Sequence, residues 1–185
     1  MRRVAPLGVM LALALIQVTW APRLSIAGAF PNLVLVAVVG ITWMQGVRAG
    51  LVWACVGGVL LDLTAQGPVG PHAVALLTAA YATSVWARNF EGPTAPHVAL
   101  TTAGGTVAYS LALVLTDGLA GMPTMDFVLV AKLTLAAAAY NAVLAPFAVE
   151  SMRRLRTPVM LRRRAVASEE VPVRPLGTIT RRAQA

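Results

Sequence analysis

Charged residues, cysteine and histidine are all scarce in this chain. Only 12% of its residues are Asp, Glu, Lys or Arg, against about 25% in an average soluble domain, which excludes an ordinary water-exposed surface. The single cysteine excludes an internal disulfide, and the two histidines leave little material for a metal centre. Motifs of serine nucleophiles, zinc proteases and phosphate-binding loops do not occur in the sequence. We therefore predict a protein that is not an enzyme and has no catalytic, cofactor-binding or metal-binding residues.

Apolar residues dominate instead, at 58% of the chain, and they gather in six long runs within the first 150 residues. A helix needs about 20 apolar residues to cross a hydrocarbon core about 30 Å thick. The runs are continuously apolar and rich in Ala and Leu, which favours helices over the alternating strands of a membrane barrel. We expect an all-α, polytopic integral membrane protein with six transmembrane helices. The predicted spans are approximately 4–20, 26–45, 47–64, 73–86, 98–116 and 127–149.

The arginines predict the orientation of these spans, because Lys and Arg in short loops remain in the cytoplasm. Arg2, Arg3, Arg48, Arg88 and the nine arginines of the tail all fall on one side when both termini are cytoplasmic, and Arg23 alone falls in an outer loop. The two histidines then lie at opposite membrane faces and cannot share a metal. A cleaved signal peptide is the alternative for the first span, but cleavage would leave an odd number of spans.

The last 35 residues differ from the rest in charge. Residues 1–150 carry a net charge of +1 and residues 151–185 carry +7. Three prolines and few large apolar residues predict a basic cytoplasmic tail that is largely disordered. Such a cluster beside a membrane attracts anionic lipid, whereas nucleic-acid binding would require aromatic residues that are missing here. The arginines expected to face the lipid are Arg153, Arg154, Arg156, Arg162, Arg163 and Arg164.

Small residues in the third span form a ridge, which we define as Gly46, Gly50, Ala54 and Gly58. Helices in lipid associate through small residues that let their backbones approach closely. The ridge is therefore either an internal helix contact or a surface for a partner helix, unless glycine is simply frequent here as in other membrane helices. Asn141, deep in the sixth span, is expected to form a hydrogen bond with another helix.

Asp62 continues the ridge toward the outer end of the third span. An acid inside a span is expected to find water, a partner or a function. One interpretation is that Asp62 forms hydrogen bonds with the turn at 67–70 that follows it. The other is an intramembrane ion pair with Lys132, although Lys132 can instead extend toward the headgroups or toward Asp126.

Three segments of the chain resemble a known family. Pro31-Asn32-Leu33 opens the second span, Gly57-Gly58-Val59-Leu60-Leu61-Asp62-Leu63 ends the third, and Gly67-Pro68-Val69-Gly70 follows. Together they resemble the MreD family of rod shape-determining proteins, and the resemblance covers roughly residues 4–150. The matching positions are Pro31, Asn32, Gly57, Gly58, Asp62, Pro68 and Gly70.

The resemblance implies a noncatalytic member of the bacterial cell-elongation machinery in the cytoplasmic (inner) membrane. Such a protein acts with MreC and, through it, with MreB, RodA and a class B penicillin-binding transpeptidase in lateral peptidoglycan synthesis and cell shape. The implied fold resembles the six-helix substrate-binding subunits of energy-coupling-factor transporters, and no cofactor is implied. The alternative function is a solute-binding subunit of a vitamin-type transporter. A polar pocket would favour that alternative, and an apolar groove for another helix would favour scaffolding.

Overall fold

The computed structural model describes residues 4–20, 23, 25, 28–65, 68–123 and 126–169, with side chains between residues 7 and 154 of those ranges. The described residues form six α-helices, which confirms the prediction of an all-helical chain. The helices are α1 (Val4–Thr19), α2 (Leu33–Gln45), α3 (Val47–Thr64), α4 (Pro71–Ala87), α5 (Ala95–Leu119) and α6 (Phe127–Glu169).

Three helices in these described ranges are long and apolar enough to cross a membrane: α3, α5 and the Phe127–Arg154 part of α6. Shorter apolar helices occur at Leu7–Thr19 and Leu33–Gln45. The chain is therefore consistent with a membrane protein, and six crossings stay a prediction.

The helix boundaries follow from local backbone chemistry. α2 begins at Leu33, seven residues after the predicted start of its span, because Asn32 caps it and Pro31 precedes the cap. Gly46, at a φ of +84°, is the single residue between α2 and α3, and Gly70, at +129°, precedes α4. These left-handed backbone conformations favour glycine. Prolines occupy the first turns of α4 and α5, where a missing N–H costs nothing.

Helix α2 lies at the centre of the packing. Seven consecutive residues of α2, in the range 34–40, are buried, so no face of this stretch meets the surroundings. α2 contacts α1, α3, α4 and α5, and α4 packs between α3 and α5. The contact with α6 runs through Val36, Val98, Ala145 and Val149. Large apolar side chains such as Leu115, Leu135 and Phe147 project outward, as expected of helices that face lipid.

The chain divides into two units, Met1–Ser151 and Met152–Ala185, at one residue from the predicted boundary. The tail was predicted to be largely disordered from residue 151, but residues 151–169 are helical. Met, Leu, Arg and Ala, which dominate this stretch, are strong helix formers, and that preference accounts for the correction. The remainder of the tail lies outside the described residues.

Candidate functional site

Asp62 joins the end of α3 to the start of α4. Its side chain is buried, and Oδ2 accepts hydrogen bonds from the backbone N–H groups of Gly70, at 2.9 Å, and Ala73, at 3.2 Å. Oδ1 accepts from the backbone N–H of His72 at 3.0 Å and lies 2.9 Å from its Nδ1. The first N–H groups of a helix have no partner within that helix and favour negative charge. Asp62 therefore caps α4 from a neighbouring helix, as one of the two interpretations of this residue predicted.

The two glycines at the end of α3 allow this approach. A Cβ atom at Gly58 would lie 2.6 Å from the backbone nitrogen of Ala73 and 2.9 Å from the carbonyl oxygen of His72. A Cβ atom at Gly57 would lie 2.6 Å from Cγ1 of Val34. All three distances are shorter than real Cβ atoms show. Gly57 and Gly58 are thus required by the contacts of α3 with α2 and α4, and we call the contact of Gly58 and Asp62 with the start of α4 the α3–α4 joint.

A second polar cluster surrounds the start of α2. Oδ1 of Asn32 accepts from the backbone N–H of Leu35 at 2.9 Å, while the backbone N–H of Asn32 donates to Oδ1 of Asn141 at 2.9 Å. Nδ2 of Asn141 donates to Oγ1 of Thr106 at 3.2 Å. Gln17 of α1 accepts from the backbone N–H of the second residue of α2 at 3.0 Å. Four helices therefore meet at this start, and the expected hydrogen bond of Asn141 with another helix is confirmed.

The ridge of small residues faces the interior. A Cβ atom at Gly50 would collide with the side chain of Thr42 in α2, Ala54 is fully buried, and Gly58 lies against α4. Gly46 is exposed and stands at the joint between α2 and α3. Of the two roles considered for the ridge, the structure gives Gly50, Ala54 and Gly58 the internal helix contact.

The ion pair considered between Asp62 and Lys132 is not formed. Nearer donors at the start of α4 occupy both oxygens of Asp62, and Lys132 is exposed on α6. The sequence interpretation missed His72 as the ionisable partner. The sequence held a signal for this pairing, because His72 lies in the first turn of the helix that follows Asp62. A buried carboxylate at the end of the preceding helix can reach that turn.

Comparison with known proteins found no matching family model, no matching curated protein and no matching solved structure. The resemblance to MreD therefore rests on the residues quoted from the sequence. Of these, Pro31 and Asn32 are buried at the start of α2, and Pro68 is exposed in the turn before Gly70.

Among the concave surfaces between the helices, two bear on the expected functions. A cavity of about 360 Å³ opens between α1, the segment at 28–30, the start of α4, α5 and α6. Its polar lining residues are Gln17, Asn32, His72, Thr106, Tyr109, Ser110, Thr134 and Asn141. A mainly apolar groove of about 530 Å³ lies between α4 and α5, and its lining residues are Tyr81, Ala82, Val85, Trp86, Gly104, Gly105, Val107, Ala108 and Leu111. We call them the polar cavity and the α4–α5 groove.

Within the described ranges, no group of three His, Cys, Asp or Glu residues is arranged to hold a metal ion. Arg153 and Arg154 are exposed on α6. The side chains of the other arginines expected to face the lipid, at positions 156 and 162–164, lie outside the described part of the chain.

Proposed function

We propose that this protein is a noncatalytic scaffold or regulator of a bacterial cell-elongation complex, acting with MreC in the inner membrane. The observation that carries the proposal is the α3–α4 joint. Asp62 belongs to the residues that carry the resemblance to MreD, and a catalytic role would depend on it. That acid makes four hydrogen bonds that fasten one helix to the next.

The engagement of Asp62 favours a structural role for the motif. A general acid or base needs a free oxygen that reaches a substrate within about 3 Å. Both oxygens of Asp62 already accept two bonds each, and the residue is 1% exposed. Gly57 and Gly58 allow the close approach of the helices that this arrangement requires, and Gly70 adopts the positive φ at the start of α4. A scaffolding role, in which the helices are held in place and present their outer faces to partner proteins, explains these residues without a catalytic reaction.

We further propose that all six helices cross the membrane, with both termini in the cytoplasm. Consecutive helices pack against one another from α1 to α5, and the joints on both sides of α3 are short. Short connections are typical of antiparallel neighbours in a helical bundle. α2, with 13 residues, is only about 20 Å long at 1.5 Å per residue. Because neighbouring helices enclose α2, protein groups inside the membrane can bond the unpaired backbone N–H and C=O groups at its ends.

The α4–α5 groove is the surface that we assign to the single transmembrane helix of MreC. The ridge of α3 is occupied internally and is excluded as a docking face. In the groove, Ala82 and Ala108 are small enough for another helix to approach closely, and the exposed side chains of Tyr81, Trp86 and Leu111 offer apolar contact. Gly104 and Gly105 serve the contact of α5 with α4 instead, against Trp86 and Thr83. Contact with MreB, RodA and the class B penicillin-binding transpeptidase would then run through MreC. The basic tail would hold anionic lipid at the cytoplasmic face.

Affinity capture from native membranes tests this proposal. The wild-type protein should recover MreC, and Ala108→Phe, which fills the α4–α5 groove, should recover several-fold less. Val143→Phe is the matched control, because Val143 is exposed on α6, outside the groove. All variants should elute as the same species in size-exclusion chromatography. Wild-type protein that recovers no MreC would overturn the proposed function, and equal recovery by the two variants would overturn the groove assignment.

The second candidate function is a solute-binding subunit of a vitamin-type transporter, and the polar cavity is the observation that favours it. The same capture experiment separates the two candidates. A transport subunit should recover the ATPase components that energise uptake, whereas a scaffold should recover MreC.

A further inference from the structure

We propose that the polar cavity is a binding site for a small uncharged molecule that carries both a hydrogen-bond donor and an acceptor, such as a carboxamide or a lactam ring. The site does not depend on the scaffolding role, and it would supply the solute pocket that the second candidate function requires. Its volume of about 360 Å³ lies toward the lower end of the range of about 300–1,000 Å³ for small-molecule sites.

The lining of the cavity favours an uncharged ligand. Asp, Glu, Lys and Arg are missing from the described residues that line it. Asp62 lies behind His72, and all four of its hydrogen bonds are directed to the start of α4. An ionised ligand would therefore lose its hydration without gaining a permanent opposite charge from the lining, which is unfavourable.

Donors and acceptors surround the same space. Oε1 of Gln17 accepts from the backbone N–H of Val34, which leaves the N–H groups of its amide to donate. Nδ1 of His72 lies 2.9 Å from Oδ1 of Asp62, which leaves Nε2 as the ring nitrogen available to a ligand, and the hydroxyl oxygens of Ser110 and Thr134 in the same lining can accept. The Tyr109 ring lies 6.4 Å from the His72 ring, between centroids, and its hydroxyl, which pairs with the Asn32 side chain, adds a group that can both donate and accept. Gln17 and Tyr109 are each 8% exposed, so these groups are held in place by their surroundings.

Apolar side chains complete the site. Phe30, Leu113 and Leu133 line the cavity beside the polar groups, and Phe30 is exposed at its edge. Few placed polar groups within a mainly apolar wall are typical of sites that select a ligand by orientation. A flat ring with one amide-like edge matches this combination.

The first test uses three probes of similar shape on the full-length protein in detergent: benzamide, benzoate and toluene. Saturation-transfer NMR with titration should show saturable binding of benzamide and several-fold weaker binding of the other two. Tyr109→Phe removes only a hydroxyl and should weaken benzamide binding about three- to tenfold, as expected for one neutral hydrogen bond. Thr83→Val is the matched control, because it removes a buried hydroxyl that does not line the cavity, and it should leave binding unchanged.

A second variant keeps the test independent of Tyr109. Ala137→Phe fills the cavity from α6 and should abolish benzamide binding, while Val143→Phe on the same helix should not. Toluene or benzoate binding as tightly as benzamide would overturn the assigned ligand chemistry. No saturable benzamide binding up to its solubility limit, or binding that survives Ala137→Phe in a folded protein, would overturn the site. MreC recovery should be unchanged by Ala137→Phe, so the site and the scaffolding role can fail separately.

Discussion

Asp62→Asn is the substitution that most directly tests the α3–α4 joint. The two oxygens of Asp62 each accept two hydrogen bonds, one pair from Gly70 and Ala73 and the other from His72. Asparagine replaces one oxygen with an NH₂ group, which cannot accept. In either orientation of the amide, the NH₂ group therefore faces a backbone N–H, and a donor of α4 loses its partner.

The expected loss of unfolding free energy can be worked from these four bonds. A hydrogen bond to a charged group contributes about 1.5–3 kcal/mol, so two lost bonds cost about 3–6 kcal/mol. Two effects offset part of this cost: a neutral amide is cheaper to bury than a carboxylate, and the His72 ring can change tautomer so that Nδ1 accepts. We expect a net loss of about 2–4 kcal/mol for Asp62→Asn, and about 3–5 kcal/mol for Asp62→Ala, which leaves every donor unpaired.

The assay is equilibrium unfolding by SDS of the purified protein in a mild detergent, followed by circular dichroism. Asp126→Asn is the control, because Asp126 is exposed and accepts one bond, from the backbone N–H of Leu129 at the start of α6. Asn caps a helix as well as Asp does, so this control should change stability by less than about 0.5 kcal/mol. A loss below about 1 kcal/mol for Asp62→Asn, ordinary for any point substitution, would refute the capping role.

Three further substitutions can be measured in the same assay. Gly58→Ala should destabilise the protein by about 1–3 kcal/mol because its Cβ meets the backbone of α4. Its control is Gly8→Ala, which has open space around it and should be neutral or stabilising by up to about 1 kcal/mol. Equal effects of the two substitutions would contradict the close approach of α3 and α4. Thr83→Val should leave stability unchanged or raise it by up to about 1 kcal/mol, because Oγ1 of Thr83 is buried without a partner in the described part of the chain. Thr101→Val removes the acceptor of a tryptophan N–H at 3.0 Å and should instead cost about 1 kcal/mol. A larger loss of stability for Thr83→Val than for Thr101→Val would contradict these assignments. Asn141→Leu should cost about 1–3 kcal/mol through its two lost hydrogen bonds between helices, and an unchanged midpoint would exclude that role.

The helix boundaries were largely readable from the sequence because local chemistry sets them. The third span was predicted at 47–64, as observed for α3, and the predicted fourth and fifth spans lie inside α4 and α5. Apolar runs and the prolines and glycines between them were sufficient for this. The start of α2 was missed because an apolar run continues before it. The proline and its neighbouring cap, rather than hydrophobicity, decide where that helix begins.

The sequence predicted the type of contact between helices but not the partner residues. The expectation that Asn141 bonds another helix required nothing beyond the cost of an unpaired amide in lipid, but its partners required the fold. The same limit explains why the sequence left an ion pair with Lys132 open beside the capping interpretation. Asp62 and Lys132 have opposite charges on the same predicted side of the membrane, whereas the donors that Asp62 uses belong mainly to backbone N–H groups, which carry no signal in the sequence. The polar cavity was equally invisible, since its lining comes from five separate segments.

Gln17, Asp62 and Asn141 share one task that ties the composition of this chain to its fold. Helix α2 follows the buried residues Pro31 and Asn32, and the half-buried start of α4 lies against the buried Asp62, so N–H groups of both first turns need acceptors from the protein. Side chains from other helices accept from these groups: Gln17 and Asn141 at the start of α2, and Asp62 at the start of α4. A helix that is too short to reach the membrane surface can therefore begin at depth, provided that its neighbours supply acceptors. In a chain with so little charge, Gln17, Asp62 and Asn141 thus mark the places where another helix starts.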